Sequence, residues 1–280
     1  MLDAKITEVF ILKKLFILLV CVAAAFIWLS SCSSKEPESE DDKASLSAVE
    51  SILDENRHAE SVFLEQGADA GEEYIDSFIF LGESTTYHLK SRGVLSGGQN
   101  TTQVWAPKSG TLMLDRSTAN CRIVYPETSE ETDISAALRL KKPKYMLLTF
   151  GLNGATKTVK NGEEYFKSCY KGLIDTIRNN SPDTVIILQS CFPVAKSMDM
   201  SAYSVDAKTL NKYIDQINAW ACELAFELEL GYLNTTQILK DNDGYLLEKY
   251  QAGDGYHLST AAYENILYYI RTHAYSEENK

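Results

Sequence analysis

The sequence has no excess of basic residues: 27 lysines and arginines stand against 39 aspartates and glutamates, for a net charge of −12 over 280 residues. Phosphate contacts need clustered lysine and arginine, so we expect no nucleic-acid partner. Six cysteines are too few for a disulfide scaffold of this length. Metal-site Cys/His spacing, phosphate-binding glycine loops and dinucleotide fingerprints are missing too, so we expect neither metal nor cofactor. The whole sequence has 45% hydrophobic and 24% charged residues, which is an ordinary composition for a globular protein.

The N-terminal apolar run is shorter than the roughly 20 residues that a transmembrane helix needs. It covers residues 15–29 and follows three lysines, which is the pattern of a signal peptide. It ends in Leu29-Ser30-Ser31-Cys32, which resembles a bacterial lipobox, where the cysteine is lipidated after cleavage. We predict that residues 1–31 are a lipoprotein signal peptide and that Cys32 anchors the mature chain to the bacterial cell membrane, outside the cytoplasm. The alternative is an uncleaved signal anchor in which Cys32 has no role.

A polar, acidic segment follows the predicted lipidation site. Residues 35–66 include ten acidic and three basic residues, which is typical of a solvated tether. Apolar residues recur at helical spacing within residues 46–66, and we predict an amphipathic helix there, either packed on the next domain or serving as a stalk. We therefore assign residues 32–73 to an acidic tether and amphipathic helix.

From residue 74 to residue 280, strand patterns alternate with helical patterns, and we predict one domain. The expected strands are 77–81, 121–125, 144–150, 184–189 and 231–233. The expected helices are 84–91, 133–140, 163–178, 207–230 and 259–273. The strand at 184–189 is almost continuously apolar, as in a parallel strand buried on both faces. The predicted fold class is α/β, a three-layer α/β/α sandwich around a central parallel sheet.

The cysteines of this domain are Cys121, Cys169, Cys191 and Cys222. They allow three disulfide pairings, among which the sequence does not choose. None has a histidine nearby, so we predict no cysteine nucleophile. The sequence leaves the oligomeric state open.

Three predicted strand ends carry side chains capable of catalysis, and sites in parallel sheets lie at the carboxyl ends of strands. The first is Gly82-Glu83-Ser84, in which the glycine permits a tight turn and the serine begins a helix. A serine at a helix N-terminus has an exposed hydroxyl and a free backbone N–H, which suits a nucleophile. The alternative is an ordinary helix-capping serine.

The second strand end is Gly151-Leu152-Asn153, where the asparagine amide would donate to an oxyanion or serve only in a turn. The third is Asp254-Gly255-Tyr256-His257, where the aspartate can fold back onto the imidazole and aim it at a nucleophile. The alternative is a loop histidine with a local partner. His88 is another candidate base, but it lies four residues after the serine and would point sideways to it.

Taken in order, these three segments resemble the sequence blocks of the SGNH or GDSL superfamily of serine esterases and acylhydrolases. The resemblance covers the chain after Tyr74 and implies a flavodoxin-like SGNH fold. It implies Ser84 as the nucleophile, His257 as the general base and Asp254 as the partner that orients it. No metal or cofactor takes part in the chemistry that this family uses.

The resemblance also implies an oxyanion hole. Its donors would be the Ser84 N–H, the Asn153 amide and a glycine N–H. We expect this glycine to be Gly110, which lies 26 residues after Ser84, and not the closer alternatives Gly97 and Gly98. Two positions depart from the family's pattern: Glu83 replaces an aspartate, and Gly154 stands where an acid is common.

The implied reaction is acyl transfer through an acyl-enzyme. For a lipoprotein outside the cytoplasm, we expect the substrate to be a small O-acyl group, such as acetyl, on carbohydrate. Tyr87, Trp105 and Tyr256 would stack on a sugar, unless they are core or rim residues. The alternatives are an O-acyltransferase, lipase or thioesterase of the same fold, and a non-catalytic glycan-binding lipoprotein.

Overall fold

A computed structural model describes residues 62–276. Five of its strands are β1 (Phe78–Gly82), β2 (Val104–Trp105), β5 (Tyr145–Thr149), β6 (Val185–Gln189) and β7 (Gly231–Leu233). They form one parallel sheet in the order β2-β1-β5-β6-β7. The other two, β3 (Arg122–Tyr125) and β4 (Glu130–Asp133), pair with each other as an antiparallel hairpin. The strand predicted at 121–125 therefore exists but does not belong to the central sheet.

Helices alternate with these strands. They are α1 (Glu72–Asp76), α2 (Ser84–Ser91), α3 (Ile134–Lys141), α4 (Ala155–Asn161), α5 (Glu163–Asn180), α6 (Ala207–Glu227), α7 (Thr236–Leu239) and α8 (Thr260–Thr272). The helices predicted at 84–91, 133–140, 163–178, 207–230 and 259–273 are confirmed, with ends that differ by a few residues. The three shorter helices, α1, α4 and α7, were not predicted, because they are too short to show a periodic apolar face.

Side chains of the central strands alternate between two hydrophobic cores, as the two-residue period of a strand requires. Ile79 and Leu81 of β1 lie in one core with buried residues of α3, α5 and α6. Phe78 and Phe80 lie in the other core with buried residues of α2 and α8. Each fully buried Leu, Ile or Phe stabilises the fold by about 1.5–3 kcal/mol. The predicted three-layer α/β/α sandwich with a central parallel sheet is confirmed.

Residues before 74 already pack against this domain, in a stretch where the sequence pattern predicted a helix. Residues 62–66, the end of the helix predicted at 46–66, are not helical. Phe63 instead forms a parallel bridge with Tyr232 of β7, and the buried side chains of Val62 and Leu64 pack into the two cores. The prediction is wrong for these five residues. The predicted signal peptide, Cys32 and the rest of the predicted helix lie outside the described residues.

The topology places a crevice at the carboxyl ends of β1 and β5. The chain leaves β1 toward β2 on one side of the sheet and leaves β5 toward β6 on the other side. The two connections therefore diverge, and ligands bind at such a switch point. The four cysteines predicted for this domain are all free thiols. Over the range 62–276, no helix combines the length and apolar character that crossing a membrane requires.

Candidate active site

The turn after β1 places Ser84 at the start of α2. Gly82 is the last residue of β1. A Cβ at this position would lie 2.3 Å from Thr86 Oγ1 and 2.4 Å from the Thr149 carbonyl oxygen, so no larger residue fits. Glu83 precedes the helix in an extended conformation, and its carbonyl accepts hydrogen bonds from the N–H groups of Thr86 and Tyr87. The N–H of Ser84 is outside the helix's own ladder and has no acceptor among the described residues.

Ser84, His257 and Asp254 form a connected chain of hydrogen bonds. Ser84 Oγ lies 3.1 Å from His257 Nε2. His257 Nδ1 lies 2.7 Å from Asp254 Oδ2. A proton on Nδ1 is thereby held by the carboxylate, which leaves the Nε2 lone pair facing the serine hydroxyl. This geometry can move a proton from Ser84 to His257.

The Asp254 carboxylate is also fixed to its own loop. Its Oδ1 accepts hydrogen bonds from the backbone N–H groups of Tyr256 at 3.1 Å and His257 at 2.9 Å. Burial alone would raise the pKa of Asp254, but these bonds and the imidazole outweigh it and hold the pKa below its usual range. The carboxylate is therefore charged at neutral pH.

A neighbouring segment holds this loop in place. Gly255 has φ of +81°, and a Cβ there would lie 2.4 Å from the Met198 Cα, so a glycine is required. The Ala195 N–H donates to the Gly255 carbonyl at 2.7 Å, and the Asp199 N–H donates to the Asp254 carbonyl at 3.0 Å. The loop that carries the Asp–His pair is thus bound to the segment after β6.

Glu83 fixes the second predicted segment, a role that the sequence did not reveal. Its buried carboxylate accepts three backbone hydrogen bonds, from Gly151 at 3.0 Å, Leu152 at 3.1 Å and Asn153 at 3.0 Å. Burial raises the pKa of the Glu83 carboxyl to about 7, against these three donors, which favour the charged form. The only sequence signal of this role was an acidic residue directly before the serine. The backbone groups that Glu83 binds are about 70 residues away in the sequence.

Asn153 borders the same cavity as Ser84 and His257. Its amide nitrogen donates to Thr111 Oγ1 at 2.8 Å and to the Leu112 carbonyl at 2.9 Å, so both amide protons have acceptors. Asn153 and the serine thus line one cavity. Its amide must turn away from one of these acceptors before it can donate to an oxyanion.

Gly110 is not positioned for the role predicted for it. Its N–H donates to the Pro107 carbonyl at 2.9 Å, and a Cβ at this position would lie 3.2 Å from the ring of Tyr87. The residue that borders the cavity is the next one, Thr111. Spacing in the sequence carries no information on whether an N–H is already bonded, and the bond to Pro107 leaves Gly110 no N–H to offer.

The three aromatic residues predicted for a sugar-binding cleft lie in different parts of the structure. Tyr256 borders the cavity beside Tyr203, whose ring it meets edge-on with centroids 5.5 Å apart. Trp105 is only 1% exposed and belongs to the core, and Tyr87 packs against Gly110. Of the three, Tyr256 alone lines the cavity.

His88 packs against the catalytic candidate His257, with ring centroids 4.4 Å apart. Burial, and next the neighbouring His257, lower the pKa of His88 to about 4, so it is neutral at neutral pH. Its buried Nδ1 has no hydrogen-bond partner within residues 62–276. His88 therefore supports the imidazole of His257 and does not replace it as the partner of the serine.

The cavity at these residues has a volume of about 740 Å³. The cavity is lined by Ser84, His257 and Tyr256 and by residues along α4, including Lys157 and Lys160. No group of three His, Cys, Asp or Glu side chains in the described part of the chain is placed to hold a metal ion. The chemistry that these side chains can perform is proton transfer and nucleophilic attack by a serine.

Comparison with known proteins gives one family. The model of the GDSL-like lipase/acylhydrolase family matches residues 80–264. No curated protein sequence matches the chain. A solved structure named as a lipolytic protein of the G-D-S-L family, from Desulfitobacterium hafniense, is 17% identical, with a TM-score of 0.49 over 70% of this chain and 98% of that one. A catalytic mutant of an acetylxylan esterase from Geobacillus stearothermophilus is 14% identical, with a TM-score of 0.36 over 50% and 64%.

Proposed function

Because the chain belongs to the GDSL-like lipase/acylhydrolase family, we propose that it is a serine esterase that removes acetyl or other short O-acyl groups from carbohydrate. The proposal rests on the alignment of three side chains. Ser84 Oγ lies 3.1 Å from His257 Nε2, and Asp254 Oδ2 lies 2.7 Å from His257 Nδ1 on the other side of the ring. Nucleophile, base and orienting acid in this relation are the parts that acyl transfer needs.

The reaction begins when His257 Nε2 takes the proton of Ser84 as the serine oxygen attacks the ester carbonyl. The negative charge that develops on the carbonyl oxygen is stabilised by the free N–H of Ser84 and by the Asn153 amide, once that amide releases one acceptor. His257 then gives the proton to the departing alcohol oxygen, and an acyl ester of Ser84 remains. Water repeats the sequence, releases the carboxylic acid and restores the serine.

The shape and lining of the cavity support a carbohydrate ester. The edge-on pair Tyr203 and Tyr256 gives the wall beside His257 an apolar surface with polar tips, which suits a sugar ring. The side chain of Ser204, on the same cavity, offers a hydroxyl group. We infer that the sugar occupies this space while its short acyl group lies at Ser84.

The test is release of acetate from 4-nitrophenyl acetate and from an acetylated oligosaccharide, compared with long-chain esters and thioesters. We expect the wild-type protein to release acetate to water and His257→Gln to be inactive. Acetyl transfer to an added sugar in preference to water would instead make it an O-acyltransferase. Preference for long-chain esters or thioesters would make it a lipase or thioesterase, and the absence of all turnover would favour a glycan-binding protein.

We also propose that the protein works outside the cytoplasm, held on the bacterial membrane by a lipid on Cys32. The support is the sequence Leu29-Ser30-Ser31-Cys32 after a signal-peptide pattern. Cys32→Ser should prevent lipidation, whereas Cys21→Ser, a matched change within the apolar run, should not. Detergent partitioning and the mass of the N-terminal peptide measure this, and an unmodified mature N-terminus elsewhere would contradict it.

A further inference from the structure

Two lysines line the cavity that contains Ser84 and His257. Lys157 and Lys160 lie three residues apart on α4, so their side chains share one face of the helix, with Cβ atoms about 5–6 Å apart. This helix begins directly after the Asn153 loop. A ligand that fills the cavity from Ser84 along α4 therefore meets both ammonium groups.

Neither lysine forms an ion pair within the described residues, whereas Lys167 on the next helix contacts three glutamates. Both cavity lysines have exposed side chains. No aspartate or glutamate of residues 62–276 borders the cavity. This lining is opposite in sign to the domain as a whole, because residues 62–276 include 26 acidic and 20 basic residues.

Acidic groups lie on the His257 side of the site. Asp254 is bound to His257, and Asp199, whose N–H donates to the Asp254 carbonyl, accepts a hydrogen bond from the Ser201 N–H. Negative charge thus lies with the base, and positive charge lies along α4. A cleft with such a separation orients a charged ligand and raises its rate of association.

We propose that the substrate of this site carries an anionic group, a carboxylate or a phosphate, on the alcohol part of the ester, and that Lys157 and Lys160 bind it. The inference rests on the proposed esterase function. Because the acyl group in that function is short, the alcohol part fills the remaining cavity, where the two ammonium groups lie. Ammonium groups form charge-assisted hydrogen bonds with either anion. The substrate class is therefore an acylated anionic carbohydrate.

The test compares kcat/KM for matched aryl acetates, with and without a negative charge on the leaving group. The probes are 4-acetoxybenzoate and 4-acetoxyphenyl phosphate, with 4-acetoxybenzamide as the neutral partner. Lys157→Gln/Lys160→Gln should lower the preference for the anionic esters by about three- to tenfold, the range expected for two exposed ion pairs. In the wild type, raising the salt from about 0.01 M to about 1 M should abolish the preference, because the Debye length falls from about 30 Å to about 3 Å.

The matched control is Lys142→Gln/Lys144→Gln. These exposed lysines lie before the amino end of β5, whereas the site lies beyond its carboxyl end, and the double change removes the same charge. It should leave the rates with all three esters unchanged. Of the two anionic esters, the one whose kcat/KM falls more in Lys157→Gln/Lys160→Gln shows whether the ligand is a carboxylate or a phosphate. The inference is overturned if Lys157→Gln/Lys160→Gln keeps the wild-type preference, or if the control lowers it equally. Wild-type protein that cleaves none of the three esters would overturn the esterase function, and the inference with it.

Discussion

The carboxylate of Glu83 accepts a hydrogen bond from the backbone N–H of Asn153 at 3.0 Å, and this bond joins the two strand ends that form the site. Glu83 immediately precedes Ser84, and the loop that it binds follows β5. The same carboxylate also binds the N–H groups of Gly151 and Leu152. The position of the serine relative to the asparagine amide is therefore set by one buried side chain.

This arrangement predicts how stability depends on pH. Wild-type protein should lose stability relative to Glu83→Gln as the pH rises from about 5 to about 7. Burial raises the pKa of Glu83 to about 7 in the folded protein, whereas in an unfolded chain it is about 4.3. Between these values the folded protein keeps a proton that the unfolded chain has released, so raising the pH favours unfolding.

Urea unfolding of both proteins at pH 5, 6, 7 and 8 measures the effect. The difference in unfolding free energy should change by roughly 1.4 kcal/mol per pH unit up to about pH 7 and then level off. All other titrating groups are common to both proteins and cancel. A difference that stays constant over the whole range would show that the three N–H donors keep Glu83 ionised in spite of its burial.

Asp254→Asn should fold but lose roughly 10²–10⁴-fold in kcat. Both backbone N–H bonds of the wild-type carboxylate go to Oδ1, which an asparagine keeps. The atom that faces the imidazole changes from an acceptor to a donor, so His257 loses the partner that holds its Nδ1 proton. Thermal unfolding and steady-state rates on an aryl acetate test this. If Asp254→Asn retains full kcat while His257→Gln is inactive, another group orients the histidine.

Asn153→Ala should reduce kcat by about 10²–10³ with little change in KM, because an oxyanion donor acts mainly in the transition state. It should also cost about 1 kcal/mol of stability, since Thr111 and Leu112 lose their amide partner. Thr111→Val is the matched variant: it breaks one of these bonds and keeps the amide. It should lower stability by a similar amount and kcat far less. Equal losses of kcat in the two variants would assign Asn153 a structural role only.

The sequence predicted best the features that depend on neighbouring residues. Ser84–Ser91 is the helix that its pattern indicated, and the continuous apolar run near β6 forms an interior strand. Asp254 and His257 are three residues apart, so their pairing needed only a flexible loop between them. Their approach to Ser84, 173 residues away, was implied by the family resemblance. Contrary to the sequence prediction, the Asp254–His257 loop does not end a strand of the sheet but lies just before α8.

The features that were missed depend on distant contacts. The partners of Glu83 are about 70 residues away, and no local pattern marks them. The bond from the Gly110 N–H to Pro107 decides against that residue, yet spacing cannot reveal it. Residues 62–66 have helical spacing, but pairing with β7 satisfies their backbone and buries Val62 and Leu64. In each case tertiary packing outweighed the local pattern.

The central claim is that Ser84 is a nucleophile activated by His257, and a serine-directed fluorophosphonate tests it most directly. Peptide mass spectrometry of the labelled wild-type protein should find one adduct, on Ser84. Ser84→Ala should give none, with unfolding free energy changed by no more than about 1 kcal/mol, since within residues 62–276 the Ser84 side chain hydrogen-bonds only to His257. Asn153→Ala should be labelled on the same serine, but slowly. An adduct on a different serine, or ester hydrolysis that persists in Ser84→Ala, would contradict the account.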